Sequence, residues 1–468
     1  MKTLVDSQHA LAAGLAAIRV DYQVPPDFLP EVLAAAEAAI RRPLTDHVDR
    51  TATRFVTLDP ATSTDLDQAF AIERAGSDVL LQYAIADVAW FVRDGDAIDA
   101  EAWRRGETIY LPDGKASLYP PSLCEGAASL LPDGDRPAVI FTVRVAPDGK
   151  AALDGVERAV IRSVAKLAYE TVRPDDLPDG FAELARRIEA AEDGRGAARV
   201  DPPEQELARG DDGRLRLAFR PRTAAEDDNA GLSLATNLAV AAALQAHHTG
   251  LFRVMAPPER VAVERLRHTA RTFGFDWPGA ESLEQFSRTL RSDDARGAAM
   301  MLAIRRAGDG ASYAPYRAGV TPWHAAMAAT YAQATAPLRR LADRYVVMAA
   351  LAIANGQAVP DTVAAAFDRL PAVMARADAR AGQVDRAVID LAETVLLSDH
   401  VGEVFAATVI DADDRGGHVQ LADQPVIVRI KSAGLVPGER LDVQLIAANV
   451  ARRTTQFEPV GMIAGAAS

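Results

Sequence analysis

RFVTLDPATSTDLDQAFAIER, residues 54–74, is where the sequence changes character. Upstream, the residues are helix formers. Here "RFVTL" and "QAFAIER" are short apolar or alternating runs, the pattern of half-buried strands. Between them lies a crowded acidic loop in which Asp59, Asp65 and Asp67 fall within nine positions, and Gln68 stands where a fourth acid would fit.

Working outward, "DVLLQYAIADVAWFV" and "RPAVIFTVRVAPDG" continue the strand pattern, with turns at "AGSD" and "APDGKA". On the N-terminal side, "DSQHALAAGLAAI" and "PPDFLPEVLAAAEAAIRRP" carry capping residues and flanking prolines, so residues 1–48 form a helical region, possible as a helix-turn-helix-like arm or as a plain amphipathic cap. On the C-terminal side, helical patterns dominate up to "DTVAAAFDRLPAVMARADARAGQVDRAVIDLAETVLL". The tail returns to about five short strands, the size of a small barrel of the OB type. Strands first and helices later give an α+β fold: a mixed sheet packed by helices, a helical N-terminal arm and a C-terminal OB-fold barrel. The expected divisions are 1–48, 49–398 and 399–468.

The chain has 468 residues, enough for about three domains. Its one cysteine, Cys124, excludes an internal disulfide framework and suits a reducing cytosol, so the expected location is cytoplasmic. No apolar run approaches a bilayer's thickness, so no membrane is expected as a partner. The formal net charge of −14 argues against indiscriminate coating of nucleic acid. It leaves room for a basic channel, because a substrate feels the local field.

Like charges as close as these aspartates raise one another's pKa unless a cation is present. On an extended segment Asp65 and Asp67, two apart, share a face, and Asp59 folds back across "PATST". Three hard oxygen ligands suit Mg2+ or Mn2+, which activate water and stabilise a leaving oxygen in phosphodiester hydrolysis. A helix-capping acidic loop is the plain alternative. A calcium loop counted from Asp65 fails, with Phe70 in place of its central glycine and Gly76 in place of its final glutamate. A phosphatase-type D-x-D nucleophile would normally continue with a hydroxyl residue, and "QA" follows instead.

The following segments narrow the choice. Residues 83–145, containing "IADV", "DAEAWRRG", "YLP" and a Pro-rich turn before "SL", closely resemble the catalytic (RNB) domain of the RNase II/RNase R family, and "TYAQATAPLRRLADRY" resembles a later motif of the same family. The resemblance covers roughly residues 50–398, and the tail resembles the RNA-binding module that usually follows. It implies a monomeric, processive 3′-to-5′ exoribonuclease acting on single-stranded RNA with Mg2+, Mn2+ being a possible substitute, and releasing 5′-mononucleotides. By position it implies that Asp59, Asp65 and Asp67 hold metal, with Gln68 in the fourth place, and that Arg339 grips the scissile phosphate, with Arg340 on the same track. It implies that Tyr110 stacks on the terminal base, that Glu226 and Asn229 lie near the terminal ribose, and that Arg105 belongs to the RNA-binding set or pairs with an acid of the cluster. The usual second aromatic has no clear match, Phe219 being the weak candidate.

Three departures stand out. Gln68 brings no charge. "ATAPLRR" lacks one hydroxyl of the family's "T-S-P-I-R-R". The first 48 residues are too few for paired cold-shock barrels, which leads to an expectation of wider RNA access and some tolerance of structured RNA. A loss of catalysis with RNA binding retained, or a phosphomonoesterase built on "DLD", are the competing readings. Positive potential is expected along Arg339, Arg340, Arg429, Lys431, Arg452 and Arg453.

Overall fold

The computed structural model describes residues 2–3, 10–132, 134–198, 200–202, 204–209, 215–220, 222–292, 294–413 and 415–460. The capping candidates Asp6 and Ser7 lie outside them.

The main sheet uses β1 (Val48–Asp49), β2 (Phe55–Asp59), β3 (Gln68–Ala75), β4 (Asp78–Ala86), β5 (Arg136–Val145), β6 (Ala151–Ile161) and β7 (Ser163–Ala168). Their order across the sheet is β7-β2-β3-β4-β5-β6-β1. Only Arg162 separates β6 from β7, so one bent strand flanks both ends of the sheet. On one side it pairs antiparallel with β5, and on the other parallel with β1 and β2, with Ala168 opposite Asp59. The ladder therefore closes into a ring without a long free edge. Phe55, Leu81, Tyr83 and Phe141 fill its core with almost no exposure, as the alternating sequence runs require.

The apolar run through "AIADVAWFV" is not one strand. β4 ends at Ala86, and the Asp87 carboxylate accepts the Trp90 N–H, capping a short helix over Val88–Phe91. A side-chain acceptor at that position competes with the strand ladder.

The main helices are α1 (Ala10–Asp21), α2 (Pro30–Ile40), α3 (Ala224–Ala246), α4 (Leu341–Ala354) and α5 (Asp361–Leu397). α3 and α4 cover β6. The N-terminal helices separate: Val32, Ala36 and Ala39 of α2 join the core of the ring, whereas Leu11, Leu15 and Ile18 of α1 join a second core with α5 and the C-terminal strands. Each helix is docked on the body by its own apolar face. A Cβ on Gly14 would stand 2.5 Å from Leu391 of α5, so glycine permits that approach.

The tail folds as β8 (Val404–Asp413), β9 (Gly416–Leu421), β10 (Ile427–Ile430), β11 (Arg440–Asn449) and β12 (Thr454–Val460), an antiparallel set ordered β10-β9-β8-β11-β12, the five-stranded OB-like barrel expected. It is joined to α5 through Glu393, whose Oε1 accepts Ile427 N–H at 3.0 Å and Gln205 Nε2 at 2.6 Å. Burial pushes the Glu393 carboxyl up to about 7. Among the described residues no helix is long and apolar enough to cross a membrane.

Candidate active site

The aspartate loop runs from the end of β2 to the start of β3. It is irregular but tightly held. Lys166 Nζ on β7 donates to the carbonyls of Ala61 (2.8 Å) and Ser63 (2.6 Å). Ser129 Oγ donates to Thr64 O and accepts Leu66 N–H, while the Leu66 side chain is fully buried. Asp65 and Asp67 thus precede the strand and are fixed by these contacts, not by a strand's alternation. Their side chains go to different partners.

Asp67 points inward and is 5% exposed. Its Oδ1 accepts Leu338 N–H at 2.7 Å, and Arg339 Nε stands 3.5 Å from Oδ2. Burial pushes this carboxyl up to about 8, against the pull of Arg339 and the Leu338 amide. Asp59 is pushed up to about 7, also by burial, with Asp65 adding to the shift and Arg339 and Lys166 opposing it. The positive charge of Arg339 therefore favours the ionised form of both carboxylates.

Asp65 lies under the hairpin formed by Ile109–Leu111 and Gly114–Ala116, in which Tyr110 and Lys115 are direct cross-strand partners. Neighbours of this kind share one face. Both end on Asp65: Lys115 Nζ is 2.8 Å from Oδ1, and Tyr110 OH donates to Oδ2 at 3.0 Å. The Tyr110 residue remains 49% exposed, so a ring is offered to solvent beside the carboxylates.

The segment carrying Arg339 is built from buried polar contacts. Asn237 Oδ1 accepts Ala334 N–H (2.9 Å), and Asp343 accepts Ala336 N–H (2.8 Å). Backbone bonds to Gly106 and Thr108 hold its other side. Arg340 turns into the protein and forms two bonds with Asp343, at 2.9 and 2.7 Å. Its guanidinium is satisfied there, although it still lines the floor of the adjacent cavity. That cavity, about 240 Å³, is bordered by Tyr110, Arg339, Arg340, Glu107, Asp378 and Tyr313.

Gln68 opens β3 with both ends of its amide engaged. Nε2 donates to Thr335 O at 2.8 Å, and Oε1 accepts from the buried Tyr83 hydroxyl. The side chain ties the sheet to the arginine segment. Asn229 donates to Leu58 O (3.1 Å) and Tyr169 OH (2.8 Å), which puts it directly behind Asp59. Glu226 completes the capping box of α3, accepting Thr223 N–H (2.7 Å) and Arg220 Nη1 (2.8 Å). Arg105 is buried away from the aspartates. It bonds Glu101 (2.7 Å), Ser117 O (3.0 Å) and Pro26 O (2.7 Å), so its acidic partner is Glu101 and no aspartate of the cluster. Phe219 sits opposite Gln205 in a hairpin beside the barrel joint, while Tyr313 is the second aromatic lining the cavity, with Arg253 4.4 Å over its ring. Arg453 is turned to α1, pairing with Asp21 at 2.8 Å.

Sequence reading missed Lys115, Tyr169 and Tyr313. For Lys115 a signal existed, because "YLPDGK" places a Pro-Asp turn, followed by glycine, between two positions that face each other in a hairpin.

The donor set fits a hard divalent ion. It is all oxygen, and two of its carboxylates are buried deeply enough to resist ionisation without added positive charge. Among the described residues no three acidic side chains stand close enough to enclose an ion unaided. Mg2+ needs only one or two carboxylates, with water and phosphate oxygens completing its shell.

Residues 47–354 match the RNB domain, and residues 403–460 match the RNase II-type exonuclease C-terminal S1 domain. Ribonuclease R 1 of Lactococcus lactis is 24% identical over 436 residues, covering 87% of this chain and 53% of that protein. The chain thus spans about half the length of this relative. A solved structure of Mycoplasma genitalium RNase R with ribose methylated single-stranded RNA superposes with a TM-score of 0.84 at 18% identity, covering 98% of this chain and 79% of that one. Yeast Ssd1, described as a pseudonuclease, shares the fold with a TM-score of 0.65 at 16% identity, over 93% of this chain and 58% of that one.

Proposed function

Because this chain belongs to the RNB family, we propose that it is a 3′-to-5′ exoribonuclease, hydrolysing single-stranded RNA processively to 5′-mononucleotides with Mg2+, or Mn2+ in its place, and working as a monomer in the cytoplasm. One observation carries this reading: Arg339 and the exposed ring of Tyr110 border one cavity, and the Arg339 guanidinium stands 3.5 Å from the buried Asp67 carboxylate. Each matches a need of the reaction. Arg339 grips the scissile phosphate and offsets the charge that grows on it. Tyr110 stacks on the terminal base without regard to its identity. Asp59 and Asp67 would hold the ion, and the Leu338 N–H fixes the orientation of Asp67. When bound, the ion supplies an activated water and stabilises the leaving oxygen. The acidic exterior does not oppose this, because the field that guides RNA is set locally by Arg339 and its neighbours.

The test is 5′-labelled single-stranded RNA incubated with and without Mg2+, with products resolved by length. The expected result is a short labelled end product, with unlabelled mononucleotides detected by their ultraviolet absorbance, only with the ion present. Absence of product under any divalent ion overturns the proposal.

A second reading, an RNA-binding protein without catalysis, is favoured by Gln68, which has no charge and whose amide oxygen already accepts from the Tyr83 hydroxyl. It predicts RNA bound and no product in the same assay.

A further inference from the structure

The exoribonuclease reading asks for a divalent ion but does not say how many. The partners of each acidic side chain bear on that number. Asp65 has both oxygens engaged, Oδ1 by Lys115 and Oδ2 by the Tyr110 hydroxyl. Lys115 is only 19% exposed in its side chain and Asp65 only 11%, so solvent and salt screen the pair weakly. The same ammonium stands 3.0 Å from Glu125 Oε1. Glu125 comes from a wide π-helical turn, Leu123–Ala127, a local irregularity that often accompanies functional sites. Gln68, the remaining polar side chain of the loop, is closed at both ends within the protein. That leaves the carboxylates of Asp59 and Asp67 for an incoming ion.

We propose that Lys115 is a resident cation of the aspartate site, so that the site takes one divalent ion, between Asp59 and Asp67, and not two. This rests on the proposed function only in assuming that a divalent ion belongs there. An ammonium is a compact point charge with three donors. Placed between Asp65 and Glu125, it engages both acids that a second ion would need. It also anchors the hairpin that carries Tyr110, so the stacking ring and the charge of the site are set by one cross-strand pair.

Removing the ammonium frees both of its acidic partners, Asp65 and Glu125, and Asp59 already feels the charge of Asp65. A second ion then has ligands. The experiment is a Mn2+ titration of the full chain without RNA, with free ion read by electron paramagnetic resonance. The native protein is expected to bind one Mn2+, Lys115→Arg one, and Lys115→Met two. Lys115→Gln, one bond shorter but neutral and still a hydrogen-bond donor, guards against misfolding of the methionine variant and is also expected to bind two. Lys115→Met with Asp65→Asn is expected to return to one. A native count other than one overturns the inference, and that measurement needs no variant. A count of one in both charge-removing variants also overturns it. One Mn2+ bound without RNA hydrolysis would defeat the exoribonuclease reading and leave this one standing; two bound with hydrolysis would do the reverse.

Discussion

Leu338 and Asp67 lie 271 positions apart, and the backbone N–H of one donates to the carboxylate of the other at 2.7 Å. The bond fixes the carboxylate against the segment that carries Arg339. Asp67→Asn keeps an acceptor for that N–H while removing the charge. Turnover on single-stranded RNA is expected to fall by at least roughly 10²–10³-fold, the size of effect seen when a charge-stabilising group is lost. RNA affinity, measured by fluorescence polarisation, is expected to change little. Cleavage at the native rate would show that Asp67 is not part of the chemistry.

Tyr110 has two separable roles, a ring offered to solvent and a hydroxyl on Asp65. Tyr110→Ala is expected to weaken RNA binding by about 1–3 kcal/mol, the contribution of one base–aromatic stack. Tyr110→Phe keeps the ring and should retain most of the affinity. Equal losses in both variants would assign the effect to the hydroxyl.

Restoring an acid at Gln68 is expected to cost stability. Gln68→Asp removes the donor to Thr335 O and shortens the reach to Tyr83, leaving buried groups unpaired at about 1–3 kcal/mol. The melting temperature should fall by a few degrees. A variant as stable as the native protein would mean that the amide tie is dispensable.

Glu393 makes the barrel joint sensitive to pH. Its folded pKa, about 7, lies above the ordinary carboxylate value, so its contribution to stability is fully present in acid, below its unfolded pKa, and is lost as pH rises through 7. Glu393→Gln retains an acceptor for Ile427 N–H without the ionisation. Relative to native, its melting temperature is expected to rise between pH 5 and pH 8. A constant difference across that range would remove Glu393 as the source.

Much of this was readable from local pattern. The apolar alternation marked β2 to β5, and the crowding of Asp59, Asp65 and Asp67 marked the site. What stayed hidden depended on partners distant in sequence. Gln68 resembles a replacement ligand until Thr335, 267 positions on, is seen to accept its amide. Glu226 resembles a sugar contact, but Thr223 three residues earlier makes it a helix cap, a competition that "TAAE" already contained. Arg105 sits in a family motif, yet its neighbours Glu101, Ser117 and Pro26 consume its donors.

The bent strand around Arg162 has a consequence in parity. Counted as segments, the ring has five members, and an odd ring cannot alternate direction all the way round. One pair must run side by side, and here it is β2 with β7. Parallel neighbours finish at the same rim, so Asp59 and Tyr169 leave the ring together, joined by Tyr169 N–H to Asp59 O. β3 starts at that rim with Gln68, and β4 ends there opposite it. The mouth that collects the carboxylates is thus fixed by strand count before any side chain is chosen.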